Sequence, residues 1–132
     1  MIKFKYQPFP SLLGEILRPM ADVILEANRQ RVEVSMCVDS GADITMIPFR
    51  LGRALSLKQS SSDKILEIKG VSGSGVPYVI KRVNLILNKR KLSVRIAWAL
   101  IEEVPLLLGR MDVFNRFKII FDEKQELIIF HS

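Results

Sequence analysis

The stretch Val38-Asp39-Ser40-Gly41-Ala42-Asp43-Ile44-Thr45 decides how this chain is organised. A strand is predicted just before it, because apolar residues alternate along the chain at Val32, Val34, Met36 and Val38. The small residues that follow allow the backbone to turn tightly and other groups to approach closely. A carboxylate at the end of a buried strand must be paired or hydrogen-bonded. Asp39 is therefore a candidate reactive group, although Asp-Ser-Gly by itself is also common in ordinary turns.

A second motif, Leu-Leu-Leu-Gly-Arg at residues 106–110, ends another apolar run. In this order and spacing, the two motifs resemble those of the retropepsin-like aspartic proteases. These are single-lobed, retroviral-type peptidases that also have bacterial and archaeal members. Their pattern is an apolar strand, Asp-Ser/Thr-Gly-Ala, a flap hairpin, and then two apolar residues and Gly-Arg opening a short helix. The resemblance covers about residues 22–130, and it indicates a prokaryotic-type member.

The resemblance implies an all-β fold, a closed β-barrel with a flap hairpin and one or two short helices. It implies an aspartic endopeptidase in which Asp39 is catalytic. The surrounding active-site loop would comprise Ser40, Gly41, Ala42, Asp43 and Thr45. Gly109 and Arg110 would support that loop, and family members commonly pair the acidic residue after the motif with this arginine. The resemblance therefore predicts an ion pair between Asp43 and Arg110.

Hydrolysis of peptides by aspartates needs two carboxyl groups that share one proton. We find no second Asp-Ser/Thr-Gly motif in the sequence. A chain of 132 residues suits one domain, residues 1–132, and is too short for a two-lobed protease. The sequence thus predicts a homodimer in which Asp39 of each subunit meets across a two-fold axis. Hydrogen bonds from Ser40 would hold the two Asp39 loops together. The substrate would be a peptide or protein.

The predicted flap holds the most glycine-rich stretch of the chain: Gly70, Val71, Ser72, Gly73, Ser74 and Gly75. Apolar alternation on both sides predicts a hairpin with this stretch at its tip. The spacing and the residues that follow do not match a phosphate-binding loop. Under the resemblance the hairpin closes over the substrate and excludes water. An ordinary surface hairpin is the alternative.

Composition limits the other function classes. With 48% hydrophobic and 26% charged residues, the chain is predicted to be globular, and no apolar stretch is long enough to span a bilayer. The first residues lack the apolar core of a signal peptide, so we expect a cytoplasmic protein. Cys37 cannot form an internal disulfide and is interpreted as a structural thiol. With a single Cys and a single His, His131, the sequence indicates no metal ligand cluster and no cofactor.

The net charge of +6 and the pI near 9.7 raise the question of a nucleic-acid partner. The densest basic cluster, Lys89, Arg90 and Lys91, lies between two alternating runs, which favours a solvated hairpin turn. We therefore disfavour a nucleic-acid-binding barrel, which is the third hypothesis. The second is a domain of the same fold that binds peptides or proteins without cutting them.

The remaining segments are predicted from periodicity and turn residues. The first 20 residues are expected to be extended around Pro8 and Pro10, with a helical turn at 12–17, and to act as a packing arm or a subunit contact. Trp98 is predicted either to be core or to line the cleft, and Glu102 and Glu103 to lie on a solvated loop pointing apart. Strands are predicted at 21–27, 31–38, 83–87, 92–100, 104–108, 117–121 and 126–130, and helical segments at 49–55 and 111–117.

Overall fold

Strands with apolar side chains at every second position form most of this protein, in agreement with the predicted all-β class. The computed structural model describes residues 1–69 and 75–132, and 57% of it is strand. A single α-helix, α1 (Phe49–Ala54), and a short 3-10 helix at Phe114–Arg116 are its helical parts within those ranges. The strands are β1 (Ile2–Lys5), β2 (Gln7–Ser11), β3 (Gly14–Arg18), β4 (Met20–Ala27), β5 (Gln30–Val38), β6 (Thr45–Ile47), β7 (Leu66–Lys69), β8 (Gly75–Leu87), β9 (Arg90–Ala99), β10 (Leu107–Leu108), β11 (Lys118–Asp122) and β12 (Leu127–His131).

The central feature is a closed barrel. Its strands follow the order β4-β5-β10-β6-β9-β8, and β4 also pairs with β8, which closes the ring of six strands. β7 pairs with the start of β8, on the strand edge that pairs with β4 farther along. Closure gives each of the six barrel strands a partner on both sides over at least part of its length; β4 and β8 pair through Ile24–Glu26 and Asn84–Ile86.

The interior of the barrel is filled by apolar residues that alternate along its strands. Along β9, Leu92, Val94, Ile96 and Trp98 are each 1% exposed or less. Trp98 is therefore core, which settles the choice that the sequence left open. Its ring stacks on Phe49 with the centroids 5.2 Å apart, and its indole N–H donates to the Phe49 carbonyl at 3.0 Å. This contact fixes α1 against the barrel.

The hairpin of β4 and β5 delivers Asp39, as predicted. Asn28 and Arg29 form its turn with positive φ values of 50° and 64°. Such a pair of left-handed residues matches the twist of two antiparallel strands. From that turn, the strands pair over eight residues up to Met20 and Cys37.

The amino-terminal region differs from the predicted helical turn at residues 12–17. β2 and β3 form a separate two-stranded hairpin there, with Ser11 opposite Gly14. Gly14 has a φ of +92°, which a glycine adopts without strain and which lets the chain reverse. Leu12 and Leu13 lie at this turn and are 106% and 91% exposed, so their spacing reflects a turn rather than a buried helical face.

The first and last strands meet within the same chain. β1 pairs with β12, and β12 with β11, in a three-stranded antiparallel sheet. Tyr6, just after β1, is buried, and its hydroxyl donates to Glu123 at 3.1 Å. Burial and the hydrogen bond to this carboxylate raise the pKa of Tyr6 to about 12. The predicted arm is thus packed on the body of the protein, while its predicted role as a subunit contact stays a prediction.

Three other boundaries differ from the sequence prediction. β8 is one continuous strand rather than two, because its alternation continues across residues 81 and 82. β10 is confined to Leu107–Leu108, since the preceding residues, with Pro105 among them, leave the sheet. The segment at 111–117 is a turn followed by a single 3-10 turn at Phe114–Arg116 rather than a regular helix.

Candidate active site

Asp39 lies where two parallel strands end at the same edge of the barrel. β5 and β10 run side by side, with Val38 opposite Leu108. The Asp39 backbone N–H continues this pairing by donating to the Leu108 carbonyl at 3.0 Å. The sheet therefore fixes the backbone of Asp39 and with it the position of the carboxylate. The side chain of Asp39 is half-buried.

The loop after Asp39 folds back on its carboxylate. The N–H of Gly41 donates to the Asp39 Oδ1 at 2.9 Å, and that of Ala42 donates to the Asp39 carbonyl at 3.2 Å. A Cβ on residue 41 would lie 3.3 Å from Oδ1, so glycine leaves this oxygen uncrowded. The backbone thus orients the carboxylate with a charge-assisted hydrogen bond.

Gly109 lies directly beneath this loop. Its N–H donates to the Oγ1 of Thr45 at 3.0 Å, and Thr45 is fully buried. A Cβ at position 109 would lie only 2.5 Å from the Ile44 carbonyl oxygen and 2.7 Å from the Thr45 nitrogen. Both neighbours are backbone atoms, so glycine is required here for close approach of two chain segments.

Arg110 braces the loop through backbone carbonyls. Its N–H donates to the Ala42 carbonyl, and the N–H of Met111 donates to the Asp43 carbonyl, both at 2.9 Å. In addition, the Arg110 Nη1 donates to the Ser40 carbonyl at 3.2 Å. Together with the Gly109–Thr45 bond, these contacts tie the active-site loop to the end of β10.

The predicted ion pair between Asp43 and Arg110 is not present among the salt bridges of the described residues. The Arg110 guanidinium lies over the Phe114 ring, 5.1 Å from its centroid, and reaches Ser40 instead. Asp43 is exposed, so its carboxylate is solvated without a partner cation. The supporting role of Arg110 is therefore carried by carbonyl oxygens rather than by a carboxylate.

A cleft of about 690 Å³ opens beside Asp39. Its floor comes from the active-site loop, including Gly41, Ala42 and Asp43, and one side comes from β7 and β8. Most of the residues that line the cleft are apolar, and they include Ile44, Met46, Ile68, Val76, Tyr78, Ile101, Val104, Pro105 and Leu107. A concave, largely apolar site with a few polar groups is typical of a ligand-binding site.

Comparison with solved structures identifies the fold. A retropepsin-like aspartic protease from Rickettsia conorii superposes with a TM-score of 0.64 at 15% identity, covering 97% of this chain and 98% of that one. The EIAV protease complexed with the inhibitor HBY-793 gives a TM-score of 0.58 at 23% identity, covering 75% and 86% of the two chains. This chain has the retropepsin-like fold. The fold predicted from the two sequence motifs is thereby confirmed. No protein-family model and no curated protein sequence matches the chain.

β7 and the first residues of β8 are the two strands of the hairpin that the sequence analysis predicts to be the flap. They pair from Leu66 and Tyr78 up to Lys69 and Gly75. Gly75 and Val76 line the cleft that contains Asp39. The other predicted flap residues, Gly70, Val71, Ser72, Gly73 and Ser74, lie outside the described residues. The identification of this hairpin as a substrate-covering flap stays a prediction.

Three further features concern residues other than Asp39: the cysteine, possible metal ligands and possible membrane-spanning helices. Cys37 is half-buried, and burial is the main cause that raises the pKa of its thiol, which fits a structural residue. In the part of the chain that the structure describes, no cluster of three or more His, Cys, Asp or Glu is arranged to hold a metal ion. Among the same residues, no helix is both long and apolar enough to cross a membrane.

Sequence reasoning missed the pair of Asp112 and Arg95. Asp112 accepts three hydrogen bonds at 2.9 Å, from the backbone N–H, Nε and Nη2 of Arg95. This pair anchors the segment after Arg110 to the middle of β9. No local sequence pattern relates residues 17 positions apart. The one indirect sign is the residue type at position 112, because Asp112 has a positive φ of 64° and such turns favour Gly, Asn or Asp.

We predict that Asp112→Asn destabilises the protein in a pH-dependent manner. Hydrogen bonds from the side chain and backbone of Arg95 lower the pKa of Asp112 to about 2. Because this folded-state pKa is below the unfolded value of about 3.9, the carboxylate stabilises the fold above about pH 4. That stabilisation is lost as the pH falls towards 2. Arg95 is 45% exposed, so solvent screening limits the expected loss at pH 7 to about 1 kcal/mol.

Urea denaturation of wild type and Asp112→Asn between pH 2 and pH 7 measures this effect. The difference in the free energy of unfolding should be largest at pH 7 and should shrink between about pH 4 and pH 2. A difference that stays constant across this range would show that the Arg95 contact does not depend on the charge of Asp112.

Proposed function

We propose that this protein is an aspartic endopeptidase of the retropepsin-like family, active as a homodimer. The observation that carries the proposal is the position of Asp39. It lies at the floor of an apolar cleft, on a loop whose backbone is held by Gly109 and Arg110. Such rigid support is what a catalytic carboxylate needs, because the reacting group must keep its geometry throughout turnover.

The proposed chemistry is acid-base hydrolysis by two Asp39 carboxyl groups that share one proton. The ionised carboxylate takes a proton from a water molecule, which attacks the peptide carbonyl carbon. The protonated carboxyl group donates its proton to the carbonyl oxygen, which gives a tetrahedral intermediate with two hydroxyl groups on the former carbonyl carbon. In the second step the C–N bond breaks: the carboxyl group that took the proton from water donates it to the leaving nitrogen, and the other carboxylate takes a proton back from one of the two hydroxyl groups. A carboxylic acid, an amine and the original singly protonated pair result. Within one chain, the Gly41 N–H holds one carboxylate oxygen in place and the turn at Gly41 and Ala42 leaves room for the substrate backbone.

The requirement for a second chain follows from the number of aspartates. The other aspartate lining the cleft, Asp43, is exposed, and its backbone rather than its carboxylate is fixed by the Gly-Arg motif. A two-fold axis beside Asp39 supplies the second carboxyl group from an identical loop. Ser40 is exposed next to Asp39 and is proposed to hydrogen-bond between the two loops.

The proposed substrate is an extended peptide or protein segment. Aliphatic side chains of Ile68 and Ile101 remain 36% and 38% exposed on the walls of the cleft. Apolar side chains of the substrate, on either side of its scissile bond, would cover Ile68 and Ile101. β7 and β8 are proposed as the flap that adds strand-like hydrogen bonds to the peptide.

Mixing wild type with Asp39→Asn tests the shared active site. After subunit exchange at constant total protein, an equal mixture should retain about one quarter of the wild-type rate, because only dimers with two intact Asp39 residues cleave. The readout is cleavage of a diverse peptide library, followed by mass spectrometry between acidic and neutral pH. Wild type mixed with Asp122→Asn, a turn aspartate outside the cleft, should lose no activity.

Two outcomes would overturn parts of the proposal. A mixture that keeps about half of the wild-type rate would show that each chain cleaves independently. Wild-type protein that cleaves no peptide, at concentrations where it is dimeric, would replace the peptidase by a peptide-binding domain of the same fold.

A further inference from the structure

The cleft carries a charge opposite to that of the whole protein. The chain has a net charge of +6, yet the charged side chains lining the described part of the cleft are the carboxylates of Asp39, Asp43 and Glu103. Lysine and arginine are absent from this lining. Residues 70–74, which the structure does not describe, contain no charged residue in the sequence. A cationic ligand is therefore favoured in the cleft over an anionic one.

Glu103 differs from its neighbour Glu102 in what it contacts. The Glu102 carboxylate accepts the backbone N–H of Arg50 at 2.9 Å and lies 3.9 Å from that residue's guanidinium, so it caps the start of α1. Glu103 instead lines the cleft. Its carboxylate takes part in none of the hydrogen bonds or ion pairs found between described residues. The predicted divergence of these two side chains is confirmed, but one of them faces the cleft rather than solvent alone.

The surroundings of Glu103 suit a long cationic side chain. Val104 and Pro105 follow it on the same wall, and Ile101 precedes it. Lysine and arginine have apolar stems that cover such surfaces while their charged ends reach a carboxylate. Because Glu103 is exposed in the free protein, it keeps its hydration until a ligand arrives, and a peptide that covers it strengthens the attraction by excluding water.

We propose that Glu103 is a specificity-determining residue that selects peptides with a lysine or arginine near the scissile bond. This inference rests on the proposed peptidase function, because it assigns the substrate class of the same cleft. Apolar side chains of the peptide occupy the aliphatic walls, and the basic side chain lies along the wall formed by residues 101–105. Asp43, which lines the same cleft, adds to the attraction for a cation.

The test uses sets of peptides that are identical except for one position near the cleaved bond, which holds lysine, leucine or glutamate. Wild type should cleave the lysine peptide with the highest kcat/KM. Glu103→Gln should lower kcat/KM for that peptide by about three- to tenfold and leave the leucine peptide within about twofold, as expected for a partly exposed ion pair. The preference of the wild type should also decrease as the salt concentration rises.

Two variants make the assignment specific to this residue. Glu102→Gln is the matched control, since its amide oxygen can still accept the Arg50 N–H and it does not line the cleft. It should keep the wild-type preference for lysine. Glu103→Lys should reverse the preference towards the glutamate peptide, because the charge at this wall changes sign.

Binding separates this inference from the proposed function. Equilibrium binding of the same peptides, with the scissile bond replaced by a reduced, non-cleavable one, reports the charge preference even if no peptide is cut. Tighter binding of the lysine peptide that disappears in Glu103→Gln supports the inference. Equal binding of the lysine and leucine peptides by wild type, or a lysine preference that survives in Glu103→Gln, would overturn it, whether or not cleavage occurs.

Discussion

Replacing Asp39 by asparagine should abolish peptide cleavage while the protein remains folded. In the proposed mechanism the substitution removes the group that exchanges a proton with water, and in the proposed homodimer it removes both copies at once. We expect kcat to fall by about a thousandfold or more, since acid-base catalysis by positioned side chains contributes on this order. Asparagine has nearly the same shape, and its amide oxygen can still accept the Gly41 N–H that now reaches Oδ1 at 2.9 Å.

The measurement compares library cleavage by wild type and Asp39→Asn, together with thermal or urea unfolding of both. Asp122→Asn is a matched control, because this carboxylate accepts the N–H of Gln125 in the β11–β12 turn, away from the cleft. It should cleave at the wild-type rate. Equal cutting by wild type and Asp39→Asn would point to a different catalytic residue or to a contaminating protease.

Replacing Gly109 by alanine should disrupt the support of the active-site loop. The added methyl group would overlap the backbone of Ile44 and Thr45, and neither can move aside as a flexible side chain would. The N–H of Gly109 also donates to the buried Thr45 hydroxyl, so a shift of residue 109 would leave a buried polar group without its partner. We expect a loss of about 3 kcal/mol in the free energy of unfolding.

Activity should decrease further than stability alone explains. Arg110 and Met111 hold the carbonyls of Ala42 and Asp43, and displacement of residue 109 moves both donors. Urea unfolding and kcat on one peptide, measured where the variant is fully folded, test the two effects separately. Gly14→Ala is the control, since its Cβ would meet open space and only its positive φ of +92° adds strain. Unchanged stability in Gly109→Ala would contradict the close approach described here.

Periodicity in the sequence predicted most of the strands, and the resemblance carried by two motifs predicted the fold class and the candidate site. Alternation of apolar residues is a local signal with a period of two, and it places Leu92, Val94, Ile96 and Trp98 on one face before any pairing is known. Asp39 and Gly109 were selected because each belongs to a motif that, in this order and spacing, resembles those of the retropepsin-like aspartic proteases.

Tertiary structure alone decided which groups these residues contact. Arg110 contacts the Ser40 carbonyl rather than the Asp43 carboxylate, and Arg95 pairs with Asp112 through a register that no local pattern encodes. Residues 12–17 form the turn and most of the second strand of the β2–β3 hairpin rather than the predicted helical turn, because a few apolar residues fit either period. Glu102 and Glu103 are adjacent residues of the same type, yet Glu102 caps α1 and Glu103 lines the cleft. Such differences depend on contacts between residues distant along the chain, and those contacts exist only once the barrel has closed.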